Sequence, residues 1–136
     1  MNMRSLSYFL FSITTLVVVA AQVLIGLDYL IYLNLLPLIV CFIIFKLIIL
    51  AGGGKWHRLL PSRRAGAFGL VVGTVLPLLT SHIHWLLGYA GILDNHFLSS
   101  GDPIAFVYVP FVAFATGIVG CIAGVIIGGY KNKTIK

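Results

Sequence analysis

Acidic side chains are nearly missing from this chain: Asp28, Asp94 and Asp102 are the only three, and there is no glutamate. Carboxylate catalysis therefore finds no support, and the intramembrane acid that coupled transporters commonly carry is absent from the middle of every apolar run. Cysteine is also scarce, with Cys41 and Cys121 both inside apolar segments. At a helical rise of about 1.5 Å per residue they lie at depths of about 9 Å and about 25 Å, too far apart for a disulfide. They read as small packing residues. Charged residues make up 9% of the chain, far below the roughly one quarter found in soluble domains. No polar stretch is long enough to bury a core of its own, which excludes a separate soluble domain.

What the chain does have is apolar residues, 60% of its 136 positions. It reads as an all-α integral membrane protein: a single membrane domain, 1–136, built as a four-helix bundle with spans at about 6–26, 35–51, 65–87 and 104–129. For the first run the alternative is a cleaved signal peptide, with Arg4 as the basic start and Val19-Ala20-Ala21 as the cleavage site. Hydrophobicity continues past that site, which favours a retained helix. The net charge of +6 does not point to nucleic acid, because the basic residues flank apolar runs and form no continuous face.

Four of the nine Lys and Arg residues, Lys55, Arg58, Arg63 and Arg64, crowd into the central stretch 52–64. Short basic loops stay in the cytoplasm, so the expected topology has both termini inside, with all nine cations at that end. Together with Trp56, these four form a topology signal or a contact for anionic lipid headgroups. Lys46, about 8 Å from the inner end of the second span, reads as a snorkelling side chain. Gly52-Gly53-Gly54-Lys55 is not a phosphate-binding loop, since the Walker spacing, the following Ser or Thr and the preceding strand are all missing. The bacterial cytoplasmic (inner) membrane is the expected location.

Small residues recur at helical spacing. Thr116, Gly120, Gly124 and Gly128 follow at four-residue steps in the fourth span, and Gly66, Gly69 and Gly73 share one face of the third. These two faces are expected to pack through glycine zippers. Pro77, Thr80 and His84 continue the third-span face, and Pro77 should kink the helix and free a carbonyl that a neighbour must satisfy. In the first span Tyr8, Ser12, Thr15, Val19, Gln22 and Gly26 form a polar stripe, expected to face other helices unless each hydroxyl bonds its own backbone one turn back. Leu27 to Asn34 reads as a tight turn, with Pro37 in the first turn of the helix that follows.

Titratable groups converge only at the outer end, where Asp28, His84, Asp94, His96 and Asp102 gather beside the amide of Gln22. His84, Asp94 and His96 are the candidate metal ligands, with ordinary interfacial histidines and a pH-sensing or partner-binding role as alternatives. By the helical wheel His84 should lie on the packed face and His82 toward lipid headgroups. Haem would need a second intramembrane histidine, available only from a second copy. No cofactor and no enzymatic activity are expected: Ser81 beside His82 points away from it, and Ser99 or Ser100 near Asp94 and His96 in a loop makes no triad.

The functional expectation is a non-enzymatic membrane protein acting through helix–helix contacts, as an accessory or stabilising subunit or an immunity or exclusion-type protein. Its partners would be the lipid bilayer and either another membrane protein or itself as a homo-oligomer. An oligomeric small channel or transporter is the alternative, and a metal- or haem-handling subunit the third.

Overall fold

Among the described residues four helices are long and apolar enough to cross a membrane. The computed structural model describes residues 2–93 and 104–133. Helix α1 spans Met3–Ile25, α2 Ile31–Ala51, α3 Pro61–Tyr89 and α4 Ile104–Lys133, and no strand occurs among the described residues. Asn2 caps α1, its side chain accepting a hydrogen bond from the Ser5 amide at 2.8 Å. Gly26 ends α1 at φ 80°, a left-handed conformation that a β-carbon would strain.

Three boundaries differ from the sequence reading, the first being the end of α4, which reaches Lys133 instead of about 129. Helix α2 begins at Ile31, fed directly by a 3-10 turn at Asp28–Leu30, so Asn34 is helical and Pro37 lies inside the helix instead of in its first turn. Only one backbone bond, to the Leu33 carbonyl, is lost by placing proline there. Helix α3 begins at Pro61, which suits a first helical position because its missing N–H would have had no partner there. Ser62, Arg63 and Arg64 are therefore the first turn of α3 and not loop.

The helices run alternately up and down. Near the central connection, Lys46 Nζ lies 4.9 Å from the Tyr8 ring centroid and the Arg4 guanidinium 5.9 Å from the same ring. Trp56 is half-buried against Phe45 at 5.7 Å. Tyr8 and Phe11 of α1 meet Phe42 and Phe45 of α2 edge-on, with centroids 5.3 to 6.2 Å apart, the geometry that aromatic quadrupoles prefer. Helix α3 is the hub: Ala67, Leu70, Val71, Val75 and Leu78 join Phe11, Val18, Leu38, Phe45 and Ile49 in one core.

The other side of α3 lies on α4 with almost nothing between the backbones. A β-carbon at Gly69 would collide with the Gly120 carbonyl, one at Gly73 with the Thr116 carbonyl, and one at Gly124 with the Ala65 carbonyl. At Gly128 it would come within 2.7 Å of the Ser62 Cα. Gly129, one residue on, has nothing within 4 Å. Gly66 is likewise buried on this side, against Val125.

Pro77 lies in this interface region. Having no N–H, it leaves the Gly73 carbonyl without its helical donor, and the Thr116 hydroxyl of α4 reaches that carbonyl at 2.6 Å. The same hydroxyl lies 2.7 Å from the Val112 carbonyl, which already accepts the helix's own N–H, so its one hydrogen does most for Gly73. The helical assignment of α3 runs through Pro77 without a break.

Gly120→Ala should lower stability by about 1–3 kcal/mol through overpacking, while Gly129→Ala should be neutral or slightly stabilising because alanine is the better helix former. Thermal unfolding in detergent distinguishes them, and equal shifts would contradict the close approach. Thr116→Val should cost about 1 kcal/mol in the native chain and clearly less in a Pro77→Ala background, where residue 77 supplies its own N–H. A double-mutant cycle with no coupling would show that the hydroxyl does not serve Gly73.

Candidate functional site

Near the end of the bundle opposite the central connection, polar side chains are buried where hydrocarbon would be expected. Gln22 of α1, Asn34 of α2 and His82 of α3 are all fully inaccessible. Gln22 and Asn34 each lie three residues from the helix ends at the Leu27–Leu30 hairpin, a depth of about 4.5 Å. His82 lies seven residues before the end of α3, a depth of about 10 Å.

His82 is held from two sides. Its Nδ1 is 2.7 Å from the Leu78 carbonyl, which can only accept, so Nδ1 carries the hydrogen and donates it. Nε2 is then an acceptor, and the Gln22 amide nitrogen, 3.3 Å away, donates to it. With both ring nitrogens engaged, the imidazole has no free lone pair for a metal. Trp85 packs edge-on at 4.9 Å and Phe106 at 6.1 Å, while Trp85 and Phe106 stack on each other at 3.4 Å. These rings join α3 to the start of α4 beside the histidine.

The network is incomplete. Gln22 Oε1 and Asn34 Oδ1 are both buried and accept no hydrogen bond, although the Asn34 amide donates to the Leu30 carbonyl at 3.3 Å. An unmatched buried acceptor costs about 1–3 kcal/mol. Two on adjacent helices are a sizeable local penalty in a water-poor environment.

Several sequence expectations need correction here. His84 is exposed and His82 buried, the reverse of the wheel assignment. Gly73, Thr80 and His84 do share a side of α3, but α4 crosses α3 and leaves that side. The contact moves from Gly66, Gly69 and Gly73 to Trp85, which meets Phe106, so Thr80 and His84 are left uncovered. The polar stripe of α1 is also divided. Ser12 and Thr15 face outward, while Ser7, Phe11, Thr14, Val18, Ala21 and Gln22 form the buried side.

Lipid exposure costs those two hydroxyls little, because each bonds a carbonyl one turn back: Ser12 to Tyr8 at 3.0 Å and Thr15 to Phe11 at 2.8 Å. Ser7 and Thr14 do the same on the buried side. Asn34 was expected in the turn and instead lies in the core. The signal that could have found it is its place one turn before Leu38 and two turns before Cys41, which are both buried.

Of the metal candidates, Asp94 and His96 lie outside the described residues, as do Asp102, Ser99 and Ser100. Among the described residues no three His, Cys, Asp or Glu side chains gather. Lys55, Arg58, Arg63 and Arg64 all border the central connection, with Lys55, Arg58 and Arg63 exposed. Cys41 and Cys121 are free thiols.

Along α1 and α2 an open groove of about 410 Å³ is lined by Phe11, Ser12, Thr15, Leu38, Ile39 and Phe42, among others. It is mainly apolar, and Ser12 and Thr15 are its polar points. Comparison with protein-family models, curated proteins and solved structures finds no match.

His82→Ala should destabilise the bundle by about 2–5 kcal/mol, through a cavity beside Trp85 and the lost link to Gln22. His84→Ala should stay within about 0.5 kcal/mol of the parent. Unfolding of both variants in the same detergent is the check, and a larger loss from His84→Ala would restore the wheel assignment.

Proposed function

We propose that the chain is a non-enzymatic, multi-pass protein of a bacterial cytoplasmic membrane that works by holding a transmembrane helix of another protein. It would serve as an accessory or stabilising subunit or as an immunity or exclusion-type protein. The observation that carries this reading is the groove between α1 and α2, which presents two exposed hydroxyls in an apolar setting. Interhelical contacts in lipid rely on shape and on such small polar groups.

The rest of the bundle suits a platform. Gly66, Gly69 and Gly73 of α3 act with Thr116, Gly120, Gly124 and Gly128 of α4 as a glycine zipper that fixes one half, leaving the α1–α2 half to receive a partner. Both termini and the central basic connection lie on the cytoplasmic side, a reading supported by the clustering of Arg4, Lys46 and the 55–64 cations at one end.

The test is photocrosslinking from Ile39, in the groove, and from Ile122, exposed on α4, in intact cells with a topology reporter fused after Lys136. A discrete adduct from Ile39 that Thr15→Trp abolishes, no adduct from Ile122 and a cytoplasmic reporter signal are expected. Equal, diffuse lipid labelling from both positions would remove the reading. An Ile39 adduct of the chain with itself would favour the oligomeric channel or transporter, which the two unmatched acceptors Gln22 Oε1 and Asn34 Oδ1 also support.

A further inference from the structure

At the end of the bundle that carries the central connection, α2, α3 and α4 do not close on one another. A crevice of about 370 Å³ remains between them, lined by Ile48 and Ala51 of α2, Arg63 and Ala67 of α3, and Cys121 and Val125 of α4, with Gly66 at its back. Its volume lies within the range that bound small molecules occupy. The walls are apolar, and Arg63 is the only charged residue among those that line it.

The crevice follows from the packing already described. Val125 of α4 packs onto Gly66 of α3, so those two helices close on each other there, while α2 reaches its end with the small residue Ala51, which leaves the space beside them unfilled. We propose that this crevice binds one anionic phospholipid, with an acyl chain between α2 and α4 and the headgroup phosphate on Arg63.

Two independent features select the anion. Arg63 lies in the first turn of α3, whose N-terminus has no side-chain cap. The Ser62 and Arg63 amides there have no carbonyl of their own helix to bond, and such N–H groups and the helix dipole favour a phosphate. The surrounding field is also of one sign. Lys55, Arg58 and Arg64 accompany Arg63, and the sequence has no acid between Asp28 and Asp94. A guanidinium forms paired hydrogen bonds with phosphate, and a zwitterionic headgroup would bring its own cation into this field. The site is separate from the α1–α2 groove and does not depend on the partner-helix reading.

Native mass spectrometry of the full chain in detergent micelles tests this with dioleoyl-phosphatidylglycerol against dioleoyl-phosphatidylcholine. One retained phosphatidylglycerol per chain is expected, with little phosphatidylcholine. Arg63→Gln should lower retention about fivefold or more, while Arg58→Gln, in the same cluster but outside the crevice, should change it less than about twofold. Ala51→Phe should block the acyl slot and lower retention with Arg63 intact. Val125→Phe does the same from the opposite wall, and thermal unfolding identifies whichever variant remains folded.

Inorganic phosphate at millimolar concentration should not displace the lipid, because it cannot fill the apolar part. Equal losses from Arg63→Gln and Arg58→Gln, equal retention of the two lipids, or displacement by phosphate alone would each overturn the proposal.

Discussion

Backbone against backbone is the arrangement on which the rest of this bundle depends. Lipid tails are as apolar as leucine, so two helices gain little from burying leucine against each other, and close approach must supply the attraction. At Gly69, Gly73, Gly120 and Gly124 the carbonyl of one helix occupies the space where a β-carbon of the other would stand. With α4 seated on that side, α3 has its opposite side free for Phe11, Val18, Leu38 and Phe45. The aromatic contacts of α1 with α2 build outward from this hub.

Polar groups in such a bundle fall into two kinds. Many hydroxyls among the described residues are satisfied within their own helix, and for Ser7, Ser12, Thr14, Thr15 and Thr80 the partner is a carbonyl four residues back. Such a residue carries little information about which way it faces, because its hydrogen bond goes wherever the helix goes. Thr116 is different, since it reaches across to a carbonyl that a proline has left without a donor. Gln22 and His82 also bond between helices, and their side chains are fully buried.

This distinction explains what could be read from the sequence. Four apolar runs mark four helices whatever their neighbours, and the freed carbonyl at Pro77 follows from proline chemistry alone. Orientation around each helix axis is another matter. A wheel places Gly73 and His84 on one side, and they are on one side, yet α4 crosses α3 at an angle and covers only the first. Residue spacing gives the side and not the length over which a neighbour covers it. Ser12 and Thr15 misled for the opposite reason: they look polar in one dimension but are already satisfied. Asn34 was hidden by its surroundings, because an asparagine after two tyrosines and an aspartate resembles a turn until the 3-10 geometry of Asp28–Leu30 is known.

The Gly73 carbonyl also bears on the order in which the chain is made. Synthesis proceeds from the N-terminus, so α3 reaches the bilayer before α4 does. During that interval Gly73 carries an acceptor with no helical donor, in a medium that offers none, beside glycines whose backbone is open to lipid. The arrival of α4 covers the glycines and supplies the missing hydrogen in one docking event. A chain halted before its last span would thus hold an α3 that is inserted but incomplete, displaying the surface by which quality-control proteases and chaperones of the membrane could recognise an unfinished product.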